Sequence, residues 1–351
     1  MLNFSLVVSS FIQVFMSKNI AVLTSGGDAP GMNAAIRAIV LTAQRYHYNI
    51  YGFYHGYNGL INNEVKQLRT DDINGVIHRG GTLLKSARCQ EMHNKAGIKQ
   101  AVNVLLKNKI DSLIVIGGDG SFNGLIAIQQ QWQGQVIGIP GTIDNDVDGT
   151  DFTIGFSTAV NTAISAIDKI RDTADAFERV FLVELMGRNS GHITFNVGIS
   201  CAAEKVLSFE NFHVEDEQST ISQIAEQILK AKSEQHSSFL IVIAENLWPN
   251  GSLALAKQLK EKTEIDCPLC TLGYIQRGGS PVAKDRIMAT KMGVAAVQAI
   301  AEEKNNVMIG EQNNSMCLIP LKEAVKHQKQ VSPLLIDAQE NILSITKQTD
   351  A

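Results

Sequence analysis

Short apolar runs alternate with longer amphipathic stretches along the chain. Ile20-Ala-Val-Leu23, Asp111-Ser-Leu-Ile-Val-Ile116, Val136 to Ile139, Val180 to Leu185 and Phe239 to Ile243 have the length and branched-aliphatic content of buried strands. Gly31 to Arg45, the stretch ending at Gln131, Ser157 to Thr173, Thr220 to Lys232 and Val282 to Glu303 read as helices. Over Ser157–Thr173, Val160, Ile164, Ile167 and Ile170 recur on one helical face. Alternating β and α segments with nearly continuous apolar strands predict mainly parallel sheets covered by helices on both faces. Such α/β sheets bind ligands outside the carboxyl ends of their strands.

Three polar turns fall at those ends. Thr24-Ser-Gly-Gly-Asp-Ala-Pro-Gly31 follows the first strand, Ile116-Gly-Gly-Asp-Gly-Ser121 closes the second, and Pro140-Gly-Thr-Ile-Asp-Asn-Asp146 follows Ile139. Glycine lets a turn take positive φ and lets a phosphate approach backbone N–H groups, and the helix N-terminus that follows favours an anion. Asp119 stands between glycines of the second turn. It suits either magnesium coordination or the capping of a helix. Asp144 and Asp146 sit two residues apart beside the Thr142 hydroxyl, as a proton acceptor and a metal carboxylate would. A solvated acidic loop, with Asp148 and Asp151 close by, is the plainer reading of that segment alone. Taken together, the three turns describe a phosphoryl-transfer site.

Composition narrows the partners. The 351 residues suffice for about two domains of roughly 150 residues. Apolar residues make up 44% and charged residues 19%, an ordinary globular balance. The net charge of −4 and the lack of a basic run argue against nucleic acid. A phosphorylated substrate must then be held by individual arginines. Arg79, Arg88, Arg188 and Arg277 stand beside glycine or serine in short turns, and a guanidinium fork matches phosphate. Cys89, Cys201, Cys267, Cys270 and Cys317 are scattered and odd in number, which fits a reducing compartment. Cys267-Pro-Leu-Cys270 has half-site spacing but no second ligand pair. The apolar stretch before Met16 lacks a basic n-region and is too short and interrupted to span a bilayer. We expect the native chain to start at Met16, with residues 1–15 as an upstream extension. The polar tail after Thr346 is expected to fray.

In combination, Leu-Thr-Ser-Gly-Gly-Asp-Ala-Pro-Gly-Met-Asn, Ile-Gly-Gly-Asp-Gly-Ser, Pro-Gly-Thr-Ile-Asp-Asn-Asp, Met-Gly-Arg and Ile-Gln-Arg-Gly-Gly-Ser-Pro resemble the bacterial-type ATP-dependent 6-phosphofructokinase family from about Lys18 to Pro333. NAD kinases and lipid kinases share the Gly-Gly-Asp-Gly turn but lack the last motif and the Pro-Gly-Thr segment. The resemblance implies two Rossmann-like three-layer α/β/α domains with the active site in the cleft between them. Residues 17–155 plus 276–325 would form the nucleotide-binding domain, and 156–275 plus 326–351 the sugar-phosphate domain, with 1–16 as the extension. It implies transfer of the γ-phosphoryl of ATP to the 1-hydroxyl of fructose 6-phosphate, with Mg2+, in a cytoplasmic homotetramer. The alternatives are a non-catalytic or substrate-shifted paralogue, or a pyrophosphate-dependent enzyme.

Carried over by position, the resemblance makes Asp144 the base, with Thr142 orienting the hydroxyl or the incoming phosphoryl group. Asp119 and Asp146 hold the metal. Gly27 offers its N–H to the transferring group, which Arg188 also serves. Arg88, Cys89, Gly118, Gly120 and Ser121 line the nucleotide site. Ile143, Met186, Gly187, Arg188, Glu245 and Tyr274 face the sugar. Arg277 holds the 6-phosphate, and Arg179 reaches it from a neighbouring subunit. An effector site for ADP or phosphoenolpyruvate would use Arg37, Arg171, Glu204, Lys230 and Lys232. Pyrophosphate-using relatives carry Asp at the position of Gly120 and Lys at that of Gly141, so the chain reads as ATP-dependent. It departs from the bacterial pattern at six positions. Pro268 and Tyr274 replace an arginine and a histidine of the 6-phosphate site, which predicts a weaker grip on the sugar. Cys89 and His93 replace an aromatic and an arginine near the nucleotide. Leu41 and Thr70 replace effector-site arginines, which predicts weakened regulation.

Overall fold

A computed structural model describes residues 17–236 and 238–348. The extension 1–16, with Met16, lies outside the described residues, as do residues 349–351 of the tail.

Two sheets organise the chain. The larger contains β1 (Asn19–Thr24), β2 (Asn49–Phe53), β3 (Val65–Leu68), β4 (Ser112–Gly117), β5 (Gln135–Thr142), β6 (Ile154–Gly155), β11 (Val307–Gln312) and β12 (Ser315–Pro320). Its order is β12-β11-β5-β4-β1-β2-β3, with β6 paired to the end of β5. The central strands are parallel, and β3 and β12 run antiparallel at the edges. The smaller sheet is wholly parallel. It has the order β10-β7-β9-β8, from β7 (Val180–Leu185), β8 (Lys205–Leu207), β9 (Phe239–Ala244) and β10 (Leu269–Thr271).

Among the described residues eleven α-helices connect and cover the strands: α1 (Met32–Arg45), α2 (Gly56–Asn62), α3 (Lys95–Lys107), α4 (Asp119–Gln129), α5 (Phe156–Phe177), α6 (His192–Ser200), α7 (Glu217–Ser233), α8 (Ser252–Thr263), α9 (Ala283–Ala301), α10 (Leu321–Ala324) and α11 (Pro333–Gln348). Strand alternation explains why both faces need cover. Ile20, Val22, Ile114 and Ile116 meet Met32, Ala35 and Ile39 of α1 and Met292 and Ala296 of α9 in one core. Ala21, Leu23, Leu113 and Val115 meet Leu105 of α3 and Phe122 and Leu125 of α4 in another. In the smaller sheet Val183 and Val242 join the first core, while Leu182 and Ile241 face α7 and α8. One apolar core therefore runs continuously from sheet to sheet. Each fully buried aliphatic side chain contributes about 1.5–3 kcal/mol relative to its exposed state.

Several boundaries differ from the sequence reading, these three among them. Helix α1 starts at Met32, with Gly31 as a left-handed N-cap at φ 113°. Helix α11 continues to Gln348 through the segment expected to fray. Strand β5 passes Ile139 and Pro140 to end at Thr142, and all of it is buried. It can do so because β11 pairs only as far as Gly138, while Gly141 and Thr142 turn to β6. Pro140 thus sits at a corner of the sheet, where a missing donor is tolerated.

Candidate active site

The three polar turns leave adjacent parallel strands, since β1, β4 and β5 are neighbours with Thr24 opposite Ile116 and Gly117 opposite Pro140. Their ends open into a cleft of about 1310 Å3. The turns also brace one another. Ser25 N–H donates to Ile116 O (3.0 Å), Ser86 Oγ donates to Gly26 O (2.6 Å), and the buried Tyr57 hydroxyl donates to Ser121 O (2.6 Å). Gly118 is the N-cap of α4, which puts Asp119 in the first helical turn rather than at the cap. A side chain at Gly120 would meet nothing within 4 Å, whereas one at Gly141 would press on Ile116 at 2.8 Å and Met32 at 3.1 Å.

Asp144 and Asp146 both face this cleft and are 6% and 7% exposed. The residue between them, Asn145, takes a left-handed φ of 54° and turns its neighbours to the same side. Thr142 Oγ1 donates to Asp144 Oδ2 (3.2 Å), and Asp144 Oδ1 is buried without a hydrogen-bond partner. Burial raises the Asp144 pKa, opposed by the Arg277 guanidinium and the Thr142 hydrogen bond. The Asp146 carboxyl is pushed up to about 6 by burial, then by the charges of Asp144 and Asp119. Among the described residues no three His, Cys, Asp or Glu side chains form a metal-binding group. A crowded, repelled pair of hard carboxylates does fit Mg2+, whose remaining ligands are phosphate oxygens and water.

The opposite wall comes from the smaller sheet. After β7, Gly187 and Arg188 turn with positive φ, and Glu245 Oε1 accepts both their N–H groups at 3.2 and 2.8 Å. Arg188 then spans the cleft to Asp119 at 3.2 Å. Arg277 lies over Gly27 and donates to Asp28 O at 3.2 Å. Arg88, Cys89, His93, Met186 and Tyr274 also line the cleft, with Tyr274 83% exposed, while Ile143 is buried.

Over residues 19–300, well over half of its length, the chain matches the sequence profile of the phosphofructokinase family. It belongs to that family. The ATP-dependent 6-phosphofructokinase of Coxiella burnetii is 47% identical over 306 residues, 87% of this chain and 92% of that one. The ATP-dependent 6-phosphofructokinase 1 of Thermus thermophilus is 44% identical over 319 residues, 91% and 97% of the two chains. A solved phosphofructokinase from Saccharomyces cerevisiae superposes with a TM-score of 0.81 at 33% identity and covers 93% of this chain. The chain spans about half, 47%, of that yeast polypeptide. A pyrophosphate-dependent phosphofructokinase from Nitrosospira multiformis has a TM-score of 0.80 at 21% identity, over 91% and 87% of the chains, a likeness of fold alone.

Other residues singled out in this phosphofructokinase lie away from the cleft. Arg179 is exposed beside the start of β7, its guanidinium 4.5 Å from the centre of the Phe177 ring. Arg171 pairs with Glu204 at 3.2 Å, Arg37 lies on α1, and Lys230 and Lys232 occupy the last turn of α7. Cys267 and Cys270 are free thiols, and burial pushes Cys267 up to about 12. No helix among the described residues is long and apolar enough to cross a membrane. Sequence reasoning missed Ser190, which donates to Asp144 O (3.0 Å), as well as Asp285 and Lys329. Asp285 and Lys329 belong to no glycine turn or acidic cluster, and Ser190 lies in the turn after Met-Gly-Arg with nothing local to mark its partner, so only tertiary contacts identify the three.

Proposed function

We propose that the chain transfers the γ-phosphoryl group of ATP to the 1-hydroxyl of fructose 6-phosphate, giving fructose 1,6-bisphosphate and ADP, as a glycolytic step. The observation that carries this reading is Asp144, a buried carboxylate with one unpartnered oxygen in the same cleft as the two glycine turns. Asp144 Oδ1 takes the hydroxyl proton as the sugar oxygen bonds to the γ-phosphorus. The bond from that phosphorus to the β,γ-bridging oxygen breaks, and the electron pair leaves with ADP. Thr142 orients the base through the hydrogen bond it already makes. The Gly27 N–H and the Arg188 guanidinium face the charge that develops on the transferring group. Asp119 and Asp146 would hold Mg2+, which would supply neutralisation of phosphate charge there.

In this reading Arg88, Cys89, Gly118, Gly120 and Ser121 hold the nucleotide, mainly on segments 17–155 and 276–325. Met186, Gly187, Glu245, Ile143 and Tyr274 hold the sugar. Arg277, with Arg179 of a neighbouring subunit, holds the 6-phosphate in a cytoplasmic homotetramer. The donor assignment draws on two glycines. The open space at Gly120 admits a nucleotide α-phosphate, which an Asp would repel, and the packing at Gly141 resists the Lys of pyrophosphate-using relatives. A coupled assay of the purified protein with Mg2+ and fructose 6-phosphate tests both points. We expect turnover with ATP and little with pyrophosphate. Higher efficiency with pyrophosphate overturns the donor, and no turnover with either overturns the reaction.

A further inference from the structure

We propose that Lys329, in the segment between α10 and α11, is a positioning residue that holds Asp144 and Asp146 in register from behind the cleft. The assignment rests on the reading of those two carboxylates given above. The segment from Asp144 to Asp151 carries four aspartates, and only Asp144 and Asp146 of these line the cleft. Asn145 makes that division by turning left-handed, with its own side chain buried on the far side. Its Oδ1 accepts the Thr153 N–H at 3.0 Å, and Thr153 Oγ1 returns to Thr142 O at 2.6 Å. Lys329 Nζ closes this arrangement. It lies 3.4 Å from Asn145 Oδ1 and donates to Asp151 O, so one ammonium joins the two arms of the loop.

The Lys329 backbone is fixed independently of its side chain. Its N–H donates to Asp146 O at 3.0 Å, and its carbonyl accepts His192 Nε2–H at 3.0 Å. The preceding residue, Gln328, bridges antiparallel to Val147 and donates from Nε2 to Asn189 O at 3.3 Å. The segment therefore touches the carboxylate loop of the larger sheet and the Gly187–His192 turn of the smaller one. Removing the ammonium leaves this strap in place, which makes the side chain separately testable. Like charges at Asp119, Asp144 and Asp146 repel, and a loop freed from Lys329 relaxes by moving its carboxylates apart. A displacement of about 1 Å at reacting groups can cost on the order of 100-fold in rate.

The test compares Lys329→Met, which keeps the length and removes the charge, with Lys329→Arg and the native protein. We expect Lys329→Met to lower kcat at least about tenfold, with KM for fructose 6-phosphate within about twofold, and Lys329→Arg to recover part of the loss. Calorimetry supplies a readout besides turnover. Mg–ADP should bind more weakly to Lys329→Met, while ADP in excess chelator binds as it does to the native protein. A lowered thermal midpoint with unchanged kcat, or equal losses for Mg–ADP and metal-free ADP, overturns the proposal. Should Lys329→Met not fold, Lys329→Gln replaces it and is judged by the same outcomes. A native protein inactive on fructose 6-phosphate sinks the functional reading instead, and the calorimetric comparison still decides Lys329.

Discussion

At the scale of single residues the cleft sorts its carboxylates by surroundings. Asp144 keeps one oxygen for a ligand and has a raised pKa, which makes it a stronger base than a solvated aspartate. Asp144→Ala should lower kcat by about 10²–10⁴-fold while nucleotide binding survives. Steady-state kinetics and nucleotide titration on the same preparation check this, and near-normal turnover of a folded variant removes the base. Asp146 differs in that its neighbours' charges add to burial and hold its carboxyl near pH 6 without metal. Mg–nucleotide binding needs the ionised form, so it should release a proton when measured near pH 6 and tighten as pH rises to 7. Calorimetry in two buffers of different ionisation enthalpy reads that proton, and Asp146→Asn should abolish it. These aspartates were legible in the sequence because glycines, a threonine and short apolar runs surround them. Lys329 and Ser190 were not, because nothing in their local sequence says which carbonyl each will meet.

Among the elements, those buried on both faces carry the clearest signal. Strands β1, β4, β7 and β9 read directly from their apolar runs, as did α5 from the period of Val160, Ile164, Ile167 and Ile170. The edge strands are harder. Strands β8 and β10 have three residues each, and β12 is half-exposed, so neither alternation nor hydrophobicity accumulates. How elements are tied together was not legible at all. Helix α5 opens at Gly155 without a cap of its own, and its first amides are satisfied from α9. Asp285, fully buried, accepts Gly155 N–H at 3.1 Å, Thr158 N–H at 2.7 Å and the Thr158 hydroxyl at 2.5 Å. Asp285→Ala strands three donors and should cost about 3–5 kcal/mol, seen as a lower denaturation midpoint. The pH dependence has a definite sign. Burial holds the Asp285 pKa above its unfolded value, so its contribution is full below the ordinary carboxylate range and shrinks as pH rises through the native value. Asp285→Ala should flatten that part of the stability profile; an unchanged midpoint and slope would show that α5 does not depend on this cap.

On the scale of the whole molecule, two α/β sheets share a core and flank one cleft. Within the chain Arg277 is the arginine over the first glycine turn, and Pro268 and Tyr274 add no cation. Arg179, the further arginine assigned to the 6-phosphate, is exposed outside the cleft, beside Phe177 with 63% of its surface open. If it serves a site, that site belongs to a second copy. Arg179→Ala should then raise KM for fructose 6-phosphate at least about tenfold with little change in KM for ATP, as loss of one charged contact to a phosphate would. Mixing decides whose site is affected. Arg179→Ala subunits carry an intact Asp144, and Asp144→Ala subunits carry an intact Arg179. When the two variants are co-expressed, about a quarter of the sites in randomly mixed symmetric oligomers combine both intact residues. Activity per subunit at low fructose 6-phosphate should exceed that of either parent. No recovery, in oligomers proven by mass to be hybrid, would place Arg179 outside the neighbouring site.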